Sequence, residues 1–348
     1  MNFIRESIFA SALRAFSSAF LGIIGGLLGF GFFITLFTIA FFPAKDTPPP
    51  KYMLVNQPRA DGTLSAKMHE PTILRINVDS MIGGPTVNAD LFDSLLLQID
   101  QQIPHDQLKA ILIYFDTPGG SAVDSYRIFS ALKTVKARYK IPVYGYVEGL
   151  CASGGIYISA ACDKMFSSPP SILGSVGVRM GPFFNVYDLL KTHGVDAANI
   201  STKNKIHMDP FTPWKPDEQD YFKPIMDELY TQFVGDVVDG RCPEGMTKED
   251  YKAKLLDIGA NVYTSKDAVQ YGYTNEPNAS LSSTIEALAL AAGITDQNYR
   301  VLSAMYMPPF QLGGVQSFFK TGKITVDHRL NGDETPTLKN DHILMLYR

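Results

Sequence analysis

Hydrophobic and polar positions along residues 72–162 follow two patterns in turn, nearly continuous apolar runs and apolar residues at helical spacing. The segments TILRINVDSMIG, KAILIYFDT and IPVYGYVE are rich in β-branched and other apolar residues, which is typical of strands buried on both faces. The segments ADLFDSLLLQID (Ala89 to Asp100) and SAVDSYRIFSALKTVKARY carry apolar residues at helical spacing, and SGGIYISAAC predicts a short helix. Strands that alternate with helices predict an α/β fold with a parallel sheet and flanking helices.

The same patterning continues toward the C-terminus. Residues 217–240 predict a long amphipathic helix that ends at a glycine, and residues 247–259 predict a second helix with a threonine cap. We therefore predict one folded domain over residues 72–280. Residues 281–348 form a C-terminal extension in which TIEALALAAG alone predicts a helix.

Residues 19–42, AFLGIIGGLLGFGFFITLFTIAFF, contain no charged side chain. As a helix this run would be about 36 Å long, more than the roughly 30 Å of a bilayer core. The apolar region of a cleavable signal peptide is shorter, so we predict a transmembrane anchor that contacts lipid. Residues 1–18 precede it, and a proline-rich linker, residues 43–71, follows it.

Composition and charge exclude several classes of function. The chain has 31 Lys and Arg against 35 Asp and Glu, and a net charge of −4, without a basic cluster of the kind that binds nucleic acid. Its three cysteines show neither zinc-ligand nor disulfide-framework spacing. We expect no nucleic acid, no metal and no cofactor.

Two glycine-containing turns follow consecutive buried strands: DTPGGSAVDS (Asp116 to Ser125) and CASGGIYIS (Cys151 to Ser159). Neighbouring parallel strands would place both turns at the carboxyl edge of the sheet, where ligands bind in open α/β folds. In the second turn Ser153 would meet unpaired N–H groups, the arrangement that acyl transfer requires. The alternative is that Ser153 is simply a helix cap, because serine is a favoured N-cap residue.

A serine nucleophile needs a base, and the six histidines are scattered without an evident carboxylate partner. A lysine made neutral by burial is the other possible base. Cys151 is an alternative nucleophile without a visible histidine partner, and His207 is an alternative base that fits a surface role better.

Four motifs, PGGS, ASGGIYIS, LGSVGV and KIHMDPF, occur in an order that resembles the signal peptide peptidase A family of membrane-anchored Ser/Lys proteases, peptidase family S49. The likeness covers about residues 72–280 and implies a fold like those of Clp protease and crotonase. It implies that Ser153 is the nucleophile, that Lys205 rather than Lys203 is the base, and that Ser175 orients the lysine. It also implies that Gly120 and Gly154 supply the oxyanion N–H groups.

The chain departs from the family pattern at three places. Asp116-Thr117 replaces asparagine-serine before PGG, Ile156 replaces an aromatic residue, and Tyr273-Thr274-Asn275 replaces leucine-valine-aspartate. None of these changes removes a catalytic group, so we expect an active enzyme rather than a pseudoenzyme.

The resemblance thus implies a membrane-anchored serine endopeptidase that degrades cleaved signal peptides or other small membrane-associated peptides. We expect a homo-oligomer in the bacterial cytoplasmic membrane, single-pass, with its catalytic domain on the extracytoplasmic side, because long domains translocate largely regardless of charge. The alternatives are a crotonase-like acyl-CoA enzyme and a non-catalytic scaffold that binds peptides.

Overall fold

The computed structural model describes residues 8–41, 51–65, 67, 69–200, 202, 208–296 and 298–307. Helix α1 runs from Ile8 to Phe41 and therefore begins before the predicted span of residues 19–42. Within the described ranges, no helix combines the length and the apolar character that crossing a membrane requires. The predicted transmembrane helix is therefore not shown by the structure.

The described residues contain one eight-stranded sheet with the order β1-β8-β2-β3-β4-β6-β7, in which β5 also pairs with β4. The strands are β1 (Lys51–Gln57), β2 (Thr72–Val78), β3 (Leu108–Thr117), β4 (Val143–Ala152), β5 (Lys164–Ser167), β6 (Ile172–Gly174), β7 (Val262–Thr264) and β8 (Arg300–Met307).

Further helices connect and cover these strands. They are α2 (Ala89–Gln102), α3 (Ala122–Tyr139), α4 (Gly154–Ser159), α5 (Tyr187–Thr192), α6 (Lys223–Arg241), α7 (Lys248–Ile258), α8 (Ser265–Ala268) and α9 (Leu281–Ala291). Short 3₁₀ turns lie at Glu218–Tyr221 and Val269–Tyr271.

The centre of the sheet is parallel, as predicted. Strands β8, β2, β3, β4 and β6 pair in parallel, whereas β1 and β7 pair antiparallel with β8 and β6 at the two ends of this order. Parallel pairing places the ends of β3 and β4 at the same edge, with Thr117 opposite Cys151. The predicted α/β class with flanking helices is confirmed, and the two predicted glycine turns lie side by side.

The sheet extends past both predicted domain boundaries, residues 72 and 280. Strand β1 lies within the predicted linker, and β8 lies within the predicted C-terminal extension. The two strands pair with each other, from Lys51 opposite Met307 to Gln57 opposite Val301. Because this pairing joins distant parts of the chain, no local pattern near either strand indicates its partner.

Apolar side chains are buried on both faces of the sheet. Ile111, Ile113 and Phe115 of β3 are fully buried in the cluster beneath α2, α3, α4 and α6, whereas Leu112 of the same strand packs toward α9. Complete burial of each such side chain contributes roughly 1.5–3 kcal/mol. This core fixes the ends of β3 and β4, which carry the candidate site.

A buried arginine forms hydrogen bonds with the segment that follows α8. The Arg241 side chain donates from Nε to the Gly272 carbonyl at 3.0 Å and from Nη2 to Asn275 Oδ1 at 2.6 Å. Asn275 Oδ1 also accepts from the Met165 N–H of β5 at 2.9 Å. The Asn275 side-chain oxygen thus accepts from both Arg241 and β5, and these bonds hold the segment after α8 against the sheet.

Candidate active site

Ser153 occupies the turn between β4 and α4. Its backbone angles, φ 51° and ψ −115°, are rare for any residue except glycine, and such strain costs about 1–3 kcal/mol. The Ser153 N–H donates to the Gly174 carbonyl at 2.9 Å, and its carbonyl accepts from the Tyr157 N–H at 3.1 Å. The neighbouring strand and helix therefore hold this residue in a conformation common to nucleophiles on strand-to-helix turns.

The side chain of Ser153 does not cap helix α4. Although the residue stands at the N-cap position and is half-buried, its side chain makes no capping hydrogen bond. Asn88, Ser121 and Thr247, at the same position of α2, α3 and α7, all accept such a bond. The capping explanation of Ser153 thus lacks the bond that would support it, and the hydroxyl is left for other chemistry.

The Pro-Gly-Gly turn after β3 packs directly against Ser153. A Cβ atom on Gly119, where φ is 92°, would lie 2.7 Å from Ser153 Cβ and 2.8 Å from the Gly154 nitrogen. A Cβ on Gly120 would lie 2.0 Å from the Ile82 carbonyl oxygen. Only glycine fits at either position, and its absent side chain lets the two turns touch.

A short extended segment after β2 holds the Pro-Gly-Gly turn from its other side. The Ile82 N–H donates to the Gly119 carbonyl at 2.9 Å, and the Ser121 N–H donates to the Ile82 carbonyl at 2.9 Å. Sequence patterns did not indicate this contact, because it joins Ile82 to a turn nearly forty residues later.

Two backbone N–H groups at the contact between the turns have no acceptor among the described residues, those of Gly120 and Gly154. A trans peptide is planar with its N–H and C=O opposed, so the Gly120 N–H points away from Ile82, to which the Gly119 carbonyl is bonded. The Gly154 N–H is likewise opposed to the Ser153 carbonyl, which accepts from α4. Unpaired donors beside a serine are the groups that could bind a tetrahedral oxyanion.

Ser175 lies beside Ser153. In the parallel pairing of β4 with β6, the last residues Ala152 and Gly174 are opposite each other, and the residue that follows each strand is a serine. Ser175 also has a positive φ, 59°, and its N–H donates to the Asn261 carbonyl at 2.8 Å. The structure therefore brings together four of the five predicted site residues.

The fifth, Lys205, lies outside the described residues, as do Lys203 and His207. The described histidines contact other groups. The His69 ring is beside the Gln107 amide, His105 stacks on Tyr139, and His193 Nδ1 is 2.9 Å from the Leu189 carbonyl.

Cys151, the alternative nucleophile, is fully buried in the core. Burial raises the pKa of its thiol well above the usual range, which leaves it protonated at neutral pH. A thiol reacts as its thiolate, so Cys151 fits a structural role.

Two of the departures from the family pattern have evident structural roles. Asp116 Oδ1 accepts from the Leu150 N–H at 3.0 Å, so this carboxylate supports the backbone of β4 three residues before Ser153. Ile156 is fully buried in the main core, where an aliphatic side chain is well suited.

Away from the candidate site, the described residues form a cavity but no cluster of metal-binding side chains. A cavity of about 520 Å³ lies between α2 and α3, and none of the candidate site residues lines it. Within the described ranges, no group of three His, Cys, Asp or Glu side chains is placed to hold a metal ion.

Comparison with known proteins places the chain in a family. The sequence profile of peptidase family S49 matches residues 136–294, and that of Clp protease matches residues 79–172. A candidate protease of Synechocystis is 31% identical over 203 residues, which are 58% of this chain and 67% of the relative. The chain belongs to peptidase family S49. The family resemblance inferred from the motifs is thereby confirmed.

Two further relatives match different shares of the chain. A candidate protease of Methanocaldococcus jannaschii is 32% identical over 179 residues, 51% of this chain and 55% of that protein. A candidate signal peptide peptidase of Enterococcus faecium is 26% identical over 263 residues, 71% of this chain and 74% of that protein. The chain thus spans about half the length of the first of these relatives.

One solved structure with a similar chain is a membrane-bound stomatin-specific protease in complex with a substrate peptide. It is 16% identical with a TM-score of 0.37, and the match covers 72% of this chain and 99% of that chain.

Proposed function

We propose that this chain is a serine endopeptidase whose nucleophile is Ser153. The observation that supports the proposal is the position of Ser153, in a strained turn beside two N–H groups that have no acceptor among the described residues. Strain at a non-glycine residue persists only where the surrounding structure enforces it, and it clusters at active sites. The hydroxyl and the free amides together are the groups that acyl transfer uses.

The proposed reaction uses groups of the chain itself. Neutral Lys205 takes the Ser153 hydroxyl proton, the oxygen attacks a peptide carbonyl, and the Gly120 and Gly154 N–H groups stabilise the oxyanion. Lys205 then protonates the leaving amine, and water hydrolyses the acyl-enzyme by the same steps. Ser175, beside Ser153, is the hydroxyl proposed to orient Lys205.

We propose cleaved signal peptides and other small membrane-associated peptides as the substrates. Met81 and Val123 are one and two residues along the chain from Ile82 and Ser121, which hold the Pro-Gly-Gly turn, and they expose 61% and 67% of their surface. Exposed apolar side chains this near the site in the chain suit an apolar peptide. The signal peptide peptidase name of the Enterococcus faecium relative agrees with this class. We also propose that the chain acts as a homo-oligomer, with the dyad formed within one protomer or between neighbours.

The proposed location is the bacterial cytoplasmic membrane, with residues 19–42 as a single-pass anchor and the catalytic domain on the extracytoplasmic side. The uncharged sequence of this run is what supports it. Carbonate washing should leave the full chain in the membrane, and deletion of residues 1–50 should give a soluble, active enzyme. Release of the full chain by carbonate would contradict the anchor.

The identity of the base is tested by replacing each of two nearby lysines, in separate variants, with alanine. Lys205→Ala should abolish peptide hydrolysis, whereas Lys203→Ala should retain it, because only one lysine is proposed to take the serine proton. In the wild-type enzyme kcat/KM should rise through one ionisation in the neutral to alkaline range, since only the neutral amine accepts a proton. A histidine base would instead give a rise centred at about pH 6.5. Full activity of Lys205→Ala would contradict the proposal that Lys205 is the base for Ser153.

A further inference from the structure

Thr117 is a fully buried residue at the last position of β3, and its hydroxyl joins two segments of the candidate site. It donates a hydrogen bond to the Ser80 carbonyl at 2.6 Å and accepts one from the Gly119 N–H at 3.1 Å. One side chain thus links the segment after β2 to the Pro-Gly-Gly turn.

The methyl group of Thr117 contacts a third segment. A Cβ atom on Gly155 would lie 2.8 Å from Thr117 Cγ2, so the methyl packs against the first turn of α4, immediately after Ser153. The backbone of Thr117 itself is opposite Cys151 of β4. Thr117 therefore contacts the three pieces of chain that surround the two unpaired N–H groups.

The Pro-Gly-Gly turn needs such an external support. Gly119 and Gly120 have φ angles of 92° and 152°, and a glycine at positive φ has no side chain that could limit its motion. The Gly119 N–H is fixed by Thr117, and the Gly119 carbonyl is fixed by the Ile82 N–H at 2.9 Å. The peptide plane between Gly119 and Gly120 then has one orientation, and that orientation sets the direction of the Gly120 N–H.

We infer that Thr117 is a positioning residue for the oxyanion donors: its hydroxyl holds Gly119 so that the Gly120 N–H faces the reacting carbonyl. This inference rests on the proposed serine peptidase function. It assigns a role to a position where the family has serine, the other residue with a β-hydroxyl. A hydroxyl at this position is what the role requires, whereas the methyl group only adds packing.

The test compares Thr117→Val, which keeps the shape and removes the hydroxyl, with Thr117→Ser, which keeps the hydroxyl. Loss of one oxyanion donor costs about 10²–10³-fold in kcat, so a misdirected donor in Thr117→Val should lower kcat about 10²-fold with KM little changed. A peptide aldehyde adds to the serine hydroxyl to form a hemiacetal whose former carbonyl oxygen occupies the oxyanion position, so affinity for it should fall by a similar factor. Thr117→Ser should keep kcat close to that of the wild type.

Thr72→Val is the matched control for a purely structural loss. Thr72 is also fully buried, and its hydroxyl donates to the Glu70 carbonyl at 3.1 Å and accepts from Arg300 Nε at 2.8 Å, at the opposite end of β2. The Thr72→Val variant should lower the unfolding temperature as Thr117→Val does, and it should leave kcat unchanged.

The outcomes separate this inference from the proposed function. A wild-type chain that neither hydrolyses peptides nor forms an aldehyde adduct contradicts the proposed function itself. An active wild type with unchanged kcat in Thr117→Val overturns the role of Thr117. If Thr117→Val does not fold, Thr117→Ser still decides, because a folded Thr117→Ser with kcat reduced more than about tenfold would contradict a role for the hydroxyl.

Discussion

Two strand-to-helix turns lie next to each other at the carboxyl edge of the sheet, and each has a serine immediately before its helix. Ser121, between β3 and α3, has φ −58°, and its side chain accepts a hydrogen bond from the Asp124 N–H at 3.3 Å. Ser153, between β4 and α4, has φ 51°, and its side chain makes no capping bond. One serine stabilises its helix, while the other is held in a conformation that costs free energy.

The comparison shows what distinguishes a structural serine from a candidate nucleophile. In both turns the sequence reads strand, small residues and helix, and serine is a favoured cap in either place. The two serines differ in the backbone that surrounds them. The Ser153 N–H donates a hydrogen bond to the Gly174 carbonyl of β6, whereas the Ser121 N–H donates to the Ile82 carbonyl. We interpret the strain at Ser153 as part of its function.

The largest expected effect comes from removing each hydroxyl in turn. Ser153→Ala should lower kcat by at least about 10⁴-fold, because no other group replaces the nucleophile. Ser121→Ala should leave kcat within a few-fold of the wild type, since its hydroxyl only caps α3. Hydrolysis of a fluorogenic peptide by both purified variants measures this, and comparable turnover in the two would remove the distinction between the turns.

A loss of activity smaller than that of Ser153→Ala is expected when a methyl group is added where the two turns touch. Gly119→Ala would place a methyl group within 3 Å of both Ser153 Cβ and the Gly154 nitrogen, so kcat should fall about 10²-fold, as when one oxyanion donor is lost.

Gly62→Ala is the control for this change. Gly62 also has a positive φ, 80°, but a Cβ atom there would meet nothing within 4 Å. It should lower stability by about 1 kcal/mol and leave kcat unchanged. Wild-type kcat in Gly119→Ala would show that the touching turns do not form the site.

The smallest expected effect is on stability, and its sign differs between the turns. Ser153→Gly should increase the free energy of unfolding by about 1 kcal/mol, because glycine adopts positive φ without strain. Ser121→Ala should decrease it by about 0.5–2 kcal/mol through loss of the cap. Denaturant unfolding of both variants measures the two changes, and a loss of stability in Ser153→Gly would contradict the strain.

Local patterns predicted the central elements well. The helix expected at residues 121–139 begins at Ala122 and ends at Tyr139, and the strand expected in KAILIYFDT ends at Thr117 as observed. These elements were predictable because a helix with one buried face has apolar residues at helical spacing, and a strand buried on both faces is a nearly continuous apolar run.

Long-range contacts were not predictable from these patterns. The pairing of β1 with β8 and the hydrogen bond between Ile82 and Gly119 join distant parts of the chain. The local sequence around either part does not indicate its partner. The sequence showed Thr117 only as a departure from the family's serine, and its two hydrogen bonds emerge from the fold. The role of Lys205 stays a prediction from the motif, because this residue lies outside the described ranges.

The most direct test of the central claim is to find which residue a serine-directed reagent modifies. The full chain is treated with a fluorophosphonate and digested, and the modified peptide is identified by mass spectrometry. We expect one adduct, on Ser153, that is absent from Ser153→Ala and present in Ser121→Ala. An adduct on another residue, or labelling that persists in Ser153→Ala, would contradict the assignment of Ser153 as the nucleophile.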